Sequence, residues 1–123
     1  MPRFVILEHD WPHWHLDLML EAGGALRTWR LAGWPQPGKV TAAQAISDHR
    51  LAYLEYEGSV SGGRGNVVRG DTGEFEWKVN EADRVVVAIV GHRFNGQLAL
   101  ERQPEKWIWF CRVEPVDAPG GCG

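Results

Sequence analysis

The chain has 123 residues, 44% apolar and 24% charged, with thirteen basic against sixteen acidic side chains and a net charge of −3 at pH 7. That length suits one domain, and that composition excludes disorder and fibrous repeats. A pI near 5.9 excludes a protein that holds nucleic acid by its overall field, so any phosphate partner must be gripped locally. The longest apolar runs, around Val85–Val90 and Trp107–Cys111, fall far short of the roughly 20 residues of a membrane helix. Met1-Pro2-Arg3-Phe4 carries no basic-then-apolar leader, and Cys111 and Cys122 are too few for a disulfide framework. The expectation is a cytoplasmic protein with free thiols and no membrane partner.

In chain order, Phe4–Glu8 is a short apolar segment that meets the turn-like Asp10-Trp11-Pro12, and Trp14–Glu21 then alternates with period two. Gly23-Gly24 signals a two-residue turn, which makes Ala25–Leu31 the antiparallel partner of that strand. The prolines and glycines of Gly33–Gly38 predict a loop. Thr41–Ile46 is ambiguous, since three alanines and a Thr41 cap favour a helix while its brevity suits a strand. Ser61-Gly62-Gly63-Arg64-Gly65 reads as a turn and lacks the Gly-Lys-Ser/Thr ending of a phosphate-binding loop. Beyond it, Asn66–Arg69, Glu74–Val79, Arg84–Val90, Gln97–Glu101 and Trp107–Val113 read as strands, with Asn95-Gly96 a hairpin signal. Many short strands joined by turns imply a sandwich or barrel, and Pro115–Gly123 reads as a flexible tail after a single domain over residues 1–114.

The most informative constellation is His9, His15 and Asp17. On a period-two strand His15 and Asp17 project to one face while Leu16, Leu18 and Leu20 take the other. A hairpin at Asp10-Trp11-Pro12 folds His9 back beside them, and two imidazoles with one carboxylate suit a divalent transition metal such as Mn, Fe or Zn. The same spacing also describes the solvated face of a half-buried strand, and His13 shares that face. His49 and Tyr53, four apart, share a face if the chain after Asp48 makes a helical turn; a histidine and a tyrosine hydroxyl there suit acid catalysis or a phosphate contact. An exposed histidine beside a packed tyrosine is the alternative. The seven tryptophans serve either as base-stacking platforms or, for most of them, as packing residues. His92 reads as exposed, and Cys111 has no activating neighbour.

The order of these motifs resembles the 3′-phosphoesterase domain of bacterial DNA ligase D and its stand-alone relatives, over about residues 3–113. The resemblance rests on Glu8-His9-Asp10, His15-x-Asp17 with Leu20-Glu21, Leu26-x-x-Trp29, Asp48-His49 with Tyr53, and Glu57-Gly58. Gly91-x-Arg93-x-x-Gly96, Leu98-x-Leu100 and Trp107 extend it. It implies a compact, mainly β barrel of about eight antiparallel strands with a short helical turn, and moves Thr41–Ile46 toward strand. It further implies a manganese-type metal on His9, His15 and Asp17, with zinc or another transition metal as alternatives, and a catalytic His49 and Tyr53. The implied activity is manganese-dependent phosphodiesterase and phosphomonoesterase chemistry on nucleic-acid 3′ ends in double-strand break repair. DNA ligase or end-joining proteins are the implied partners.

The chain departs from that family at Met19, where an arginine is usual, at Gly33 and Thr41, where basic residues are usual, and at Leu7, in place of a glutamine. The phosphate clamp is depleted, and Met19 should border the metal site. Arg30, Lys39, Arg50 and Arg64 are the available substitutes. Two readings therefore stand: a phosphoesterase with a depleted clamp, or a catalytically weak metal-binding interaction module in DNA repair.

Overall fold

The computed structural model describes residues 1–105 and 108–114, so Trp107 and the expected tail at 115–123 lie outside the described residues. The strands are β1 (Arg3–His9), β2 (His15–Ala22), β3 (Ala25–Leu31), β4 (Val40–His49), β5 (Gly58–Ser59), β6 (Asn66–Asn80), β7 (Arg84–Gly91), β8 (Asn95–Arg102) and β9 (Trp109–Glu114). One 3₁₀ turn spans Leu51–Leu54. Every pairing is antiparallel; the sheet runs β1-β2-β3-β4-β9-β8-β7-β6 and closes through β6 onto β1, while β5 adds two residues outside β6. Closure removes the exposed edges an open sheet would carry. The chain is thus an eight-stranded barrel, and Thr41–Ile46 belongs to a strand.

Side chains of alternate residues fill the barrel: Phe4 and Ile6 from β1, Leu16, Leu18 and Leu20 from β2, Trp29 from β3, Phe75 from β6, and their counterparts on β7 to β9. Trp29 and Trp109 meet edge to face at 5.5 Å. A second apolar cluster lies on the opposite face of β1 to β3, where Val5, Leu7, Met19 and Leu26 are covered by Leu54 and Val67, with Tyr53 and Val60 packed against them. The segment 51–65, crossing outside the barrel, therefore buries the second face of β2 as completely as the first.

Two sequence expectations are corrected. Asn66–Arg69 and Glu74–Val79 are one strand, because Gly70 and Gly73 serve close approach and not a turn. A Cβ on Gly73 would lie 2.1 Å from the Val90 carbonyl, and one on Gly70 2.7 Å from the Trp34 ring. The register with β1 shifts here, between Ile6 and Leu7, as a bulge requires. Asn95-Gly96 does not form the hairpin turn either: both residues already pair within β8, opposite Val90 and Ile89. The turn lies at His92–Phe94, where the buried Asp71 carboxylate accepts the backbone N–H groups of His92, Arg93 and Phe94 at 2.8–3.0 Å. A buried anion satisfied by backbone donors outweighs the local Asn-Gly preference.

Candidate active site

His9 closes β1 and His15 opens β2, and the hairpin between them pairs the two directly. Their rings meet edge to face at 4.8 Å, and Asp17 follows two residues on along the same face of β2. His9, His15 and Asp17 are 8%, 6% and 4% exposed, so the solvated-face reading is excluded. His9 Nδ1 stands 3.4 Å from Asp17 Oδ2, and His15 Nε2 3.2 Å from Asp17 Oδ1.

The outer nitrogens fix the tautomers. His9 Nε2 lies 2.8 Å from the Arg64 carbonyl and His15 Nδ1 2.9 Å from the His13 carbonyl. A carbonyl only accepts, so those nitrogens carry the protons, and in the neutral rings the inner nitrogens are bare. Both bare lone pairs then face one carboxylate. His15 Nε2 and Asp17 Oδ1 are buried without a hydrogen-bond partner, an arrangement of acceptor against acceptor that a cation would relieve. The candidate donor atoms of the three residues all lie within 4.8 Å of one another. Imidazoles oriented by backbone carbonyls and converging on a carboxylate fit a divalent transition ion. His13 itself is exposed and contributes its carbonyl, not its ring.

Gly65 sets the position of the Arg64 carbonyl. At φ +76° it takes a left-handed conformation, and a Cβ there would stand 2.2 Å from Asp10 Oδ1 and 2.6 Å from Trp11 Cβ. This close approach also lets Asp10 Oδ1 accept the Asn66 N–H at 2.7 Å, which ties the β1–β2 turn to the start of β6. Asp10 and Gly65 are thus positioning residues for His9 that spacing along the chain did not reveal.

His9 and Asp17 line a cleft of about 140 Å³ together with Trp11, Met19, Arg30, Ile46, His49, Tyr53, Val60, Arg64 and Val67. A larger hollow of about 460 Å³, between Val40, Glu101 and Phe110, contains none of these groups. His49 and Tyr53 reach the cleft differently from the helical face expected of them. His49 is the last residue of β4, whereas Tyr53 belongs to the 3₁₀ turn that begins at Leu51. Their rings nevertheless meet edge to face at 5.3 Å, with Tyr56 against the far side of Tyr53 at 5.7 Å. His49 Nδ1 lies 3.0 Å from the Ser47 carbonyl and therefore donates to it, leaving Nε2 as the ring's free nitrogen.

Met19 does border the cleft, but it is 1% exposed and packs into the outer apolar cluster. Leu7 lies in the same cluster, and Thr41 is buried opposite Cys111 on β9, outside the cleft lining. Of the four basic substitutes, Lys39 lies outside the cleft and Arg50 lines a separate hollow of about 190 Å³ beside Tyr53. Arg64 lines the cleft with its guanidinium bonded to the Ser61 carbonyl and hydroxyl at 2.7 and 3.2 Å. Arg30 lines it with its Nε buried and unpartnered. Other motif residues are structural: Arg93 stacks on Trp34 at 3.7 Å, and Glu57 accepts the Arg69 N–H at 2.7 Å. Trp29 and Trp109 are buried and Trp34 and Trp77 pack against the core, while Trp11 and Trp14, in the turn between His9 and His15, are 43% and 48% exposed. His92 is exposed, as expected.

The described chain is thus a closed antiparallel barrel whose outer face carries a buried cluster of two histidines and one aspartate at the wall of a small cleft, a group that could hold a metal ion. The chain belongs to the DNA ligase D 3′-phosphoesterase domain family, whose sequence profile matches residues 7–102. It is also 33% identical over 76 residues to the multifunctional non-homologous end joining protein LigD of Pseudomonas aeruginosa. That match covers 58% of this chain and 9% of the relative, so the chain corresponds to a small part of that protein. Among the described residues, no helix is long and apolar enough to cross a membrane.

Proposed function

We propose that the chain is a metal-dependent phosphoesterase acting on nucleic-acid 3′ ends in end-joining repair, with manganese as the metal. The observation that carries this reading is the convergence of the inner nitrogens of His9 and His15 on Asp17, at the wall of a cleft that also holds His49 and Tyr53. Membership of a 3′-phosphoesterase domain family supports the choice of substrate class. His9, His15 and Asp17 would hold the ion, and a divalent ion bound there supplies Lewis-acid polarisation of a phosphoryl oxygen.

The remaining steps belong to the protein's own groups. His49, its Nδ1 fixed on the Ser47 carbonyl, presents Nε2 to hold or deliver a proton at a phosphate ester oxygen. Tyr53 positions the His49 ring through their edge-to-face contact, and its own ring is wedged by Tyr56. The apolar wall of Met19, Ile46, Val60 and Val67 limits water in the cleft, which strengthens each charged contact inside it.

The test is turnover of a 3′-phosphorylated oligonucleotide with manganese by the intact chain and by His49→Ala. The proposal expects phosphate release by the wild type and a loss of about a hundredfold or more in kcat for the variant. A wild type that binds manganese yet releases no phosphate from any 3′-end substrate would replace this reading with the interaction-module one. DNA ligase or end-joining proteins would then be the partners to seek.

A further inference from the structure

Arg30 sits on β3 directly opposite Asp17 on β2 and opposite Gln44 on β4. Its side chain lines both the cleft of Asp17, His49 and Tyr53 and an adjoining hollow of about 300 Å³ bordered by His15 and Gln44. It therefore stands between them, beside the candidate metal ligands. The cross-strand arginine–aspartate ion pair that this register invites does not form, because both Asp17 oxygens face the histidines at 3.2 and 3.4 Å. Arg30 Nε is buried without a hydrogen-bond partner, and among the described residues its guanidinium pairs with no carboxylate.

Three other arginines are engaged. Arg64 is bonded to Ser61, Arg27 to Asn80 and the Glu81 carbonyl, and Arg93 lies over Trp34. A partly exposed guanidinium whose Nε is buried and unpaired at the wall of a small cleft favours an acceptor with several oxygens. Asp17 cannot fill that need while its charge is directed at the histidine pair.

We propose that Arg30 is the anion-holding residue of this cleft, donating its guanidinium N–H groups to the non-bridging oxygens of a phosphate monoester or diester placed beside His9, His15 and Asp17. The inference rests on the phosphoesterase reading for its substrate, but the anion site itself does not require turnover. Arg30 acts on the ligand and not on the metal, so its loss separates phosphate affinity from metal affinity.

The experiment titrates inorganic phosphate and manganese separately into the intact wild type, Arg30→Gln and Arg30→Lys by calorimetry, and measures KM for a 3′-phosphorylated single-stranded oligonucleotide. The expected result is phosphate affinity about ten- to a hundredfold weaker in Arg30→Gln, partial recovery in Arg30→Lys, and manganese affinity unchanged within twofold in both. KM rises in parallel wherever turnover is measurable. Undiminished phosphate binding in a folded Arg30→Gln would overturn the assignment, and so would an equal loss of manganese affinity, which would make Arg30 a support of the ligand set. If the wild type turns over no 3′-end substrate but Arg30→Gln still loses phosphate, the anion site stands and the phosphoesterase reading falls.

Discussion

The two faces of the β1–β3 sheet are equally buried but differently made. The barrel side of β2 carries Leu16, Leu18 and Leu20, each fully buried in an unbroken apolar interior. The outer side carries His15, Asp17 and Met19, also buried, yet grading from an apolar cluster under Leu54 into the polar cleft. The inner face is closed by the barrel itself, whereas the outer face is closed by segment 51–65, held through the Gly65 approach and β5. The inner face thus sets stability, and the outer face trades apolar burial for unpaired polar atoms that are costly unless a ligand satisfies them.

The largest effect should come from the inner face. Trp29→Ala removes a fully buried ring that packs on Trp109 and should cost about 3–5 kcal/mol. That is a large share of a stability on the order of 5–15 kcal/mol, so the urea midpoint should fall sharply and the site should be lost with the barrel. If Trp29→Ala kept the wild-type urea midpoint, the two faces would not differ as described.

Gly65→Ala strikes the outer face alone. The left-handed backbone and the contact with Asp10 both oppose a Cβ, so the loop must shift and withdraw the Arg64 carbonyl from His9 Nε2. The expected outcome is manganese affinity about ten- to a hundredfold weaker, although no ligand is replaced. The far-ultraviolet spectrum of the barrel should stay the same. Equal affinity in calorimetry would mean that the loop does not orient His9.

The smallest effect at neutral pH is at Cys111. Burial pushes its thiol up from 9.0 to about 12, so the unfolded chain releases this proton before the folded one does. The thiol's contribution to stability is fully present below pH 9 and is lost as pH rises toward 12. Cys111→Val should therefore leave stability near pH 7 almost unchanged and make its decline above pH 9 less steep, as read from thermal melts across that range. The native thiol should resist alkylation at pH 8, since the thiolate is the reactive form.

Much of this was legible in the residues. Alternation in Trp14–Glu21 and the Gly23-Gly24 turn place β2 and β3 correctly, and counting back equally from that turn sets Arg30 opposite Asp17. The spacing of His9, His15 and Asp17 shows that they converge, but period two cannot tell a face covered by a later segment from one left in water. That cover depends on Leu54, Val60 and Val67, more than thirty residues from the histidine pair. Gly70, Gly73 and Asn95-Gly96 misled for a related reason. Their conformations answer to Trp34, Val90 and Asp71, which no local window contains.

The central claim is that the inner nitrogens of His9 and His15 and the Asp17 carboxylate form one cation site. Calorimetric titration of manganese into the wild type and His15→Ala, with thermal melts at matched metal concentrations, tests it most directly. The account predicts one ion per chain in the wild type and a stabilisation of about 2.7 kcal/mol at a hundredfold excess over Kd. In His15→Ala both should be lost, while the melting temperature without metal stays close to that of the wild type or rises as the unpaired contact disappears. Undiminished manganese affinity in His15→Ala, or no binding by the wild type, would contradict it.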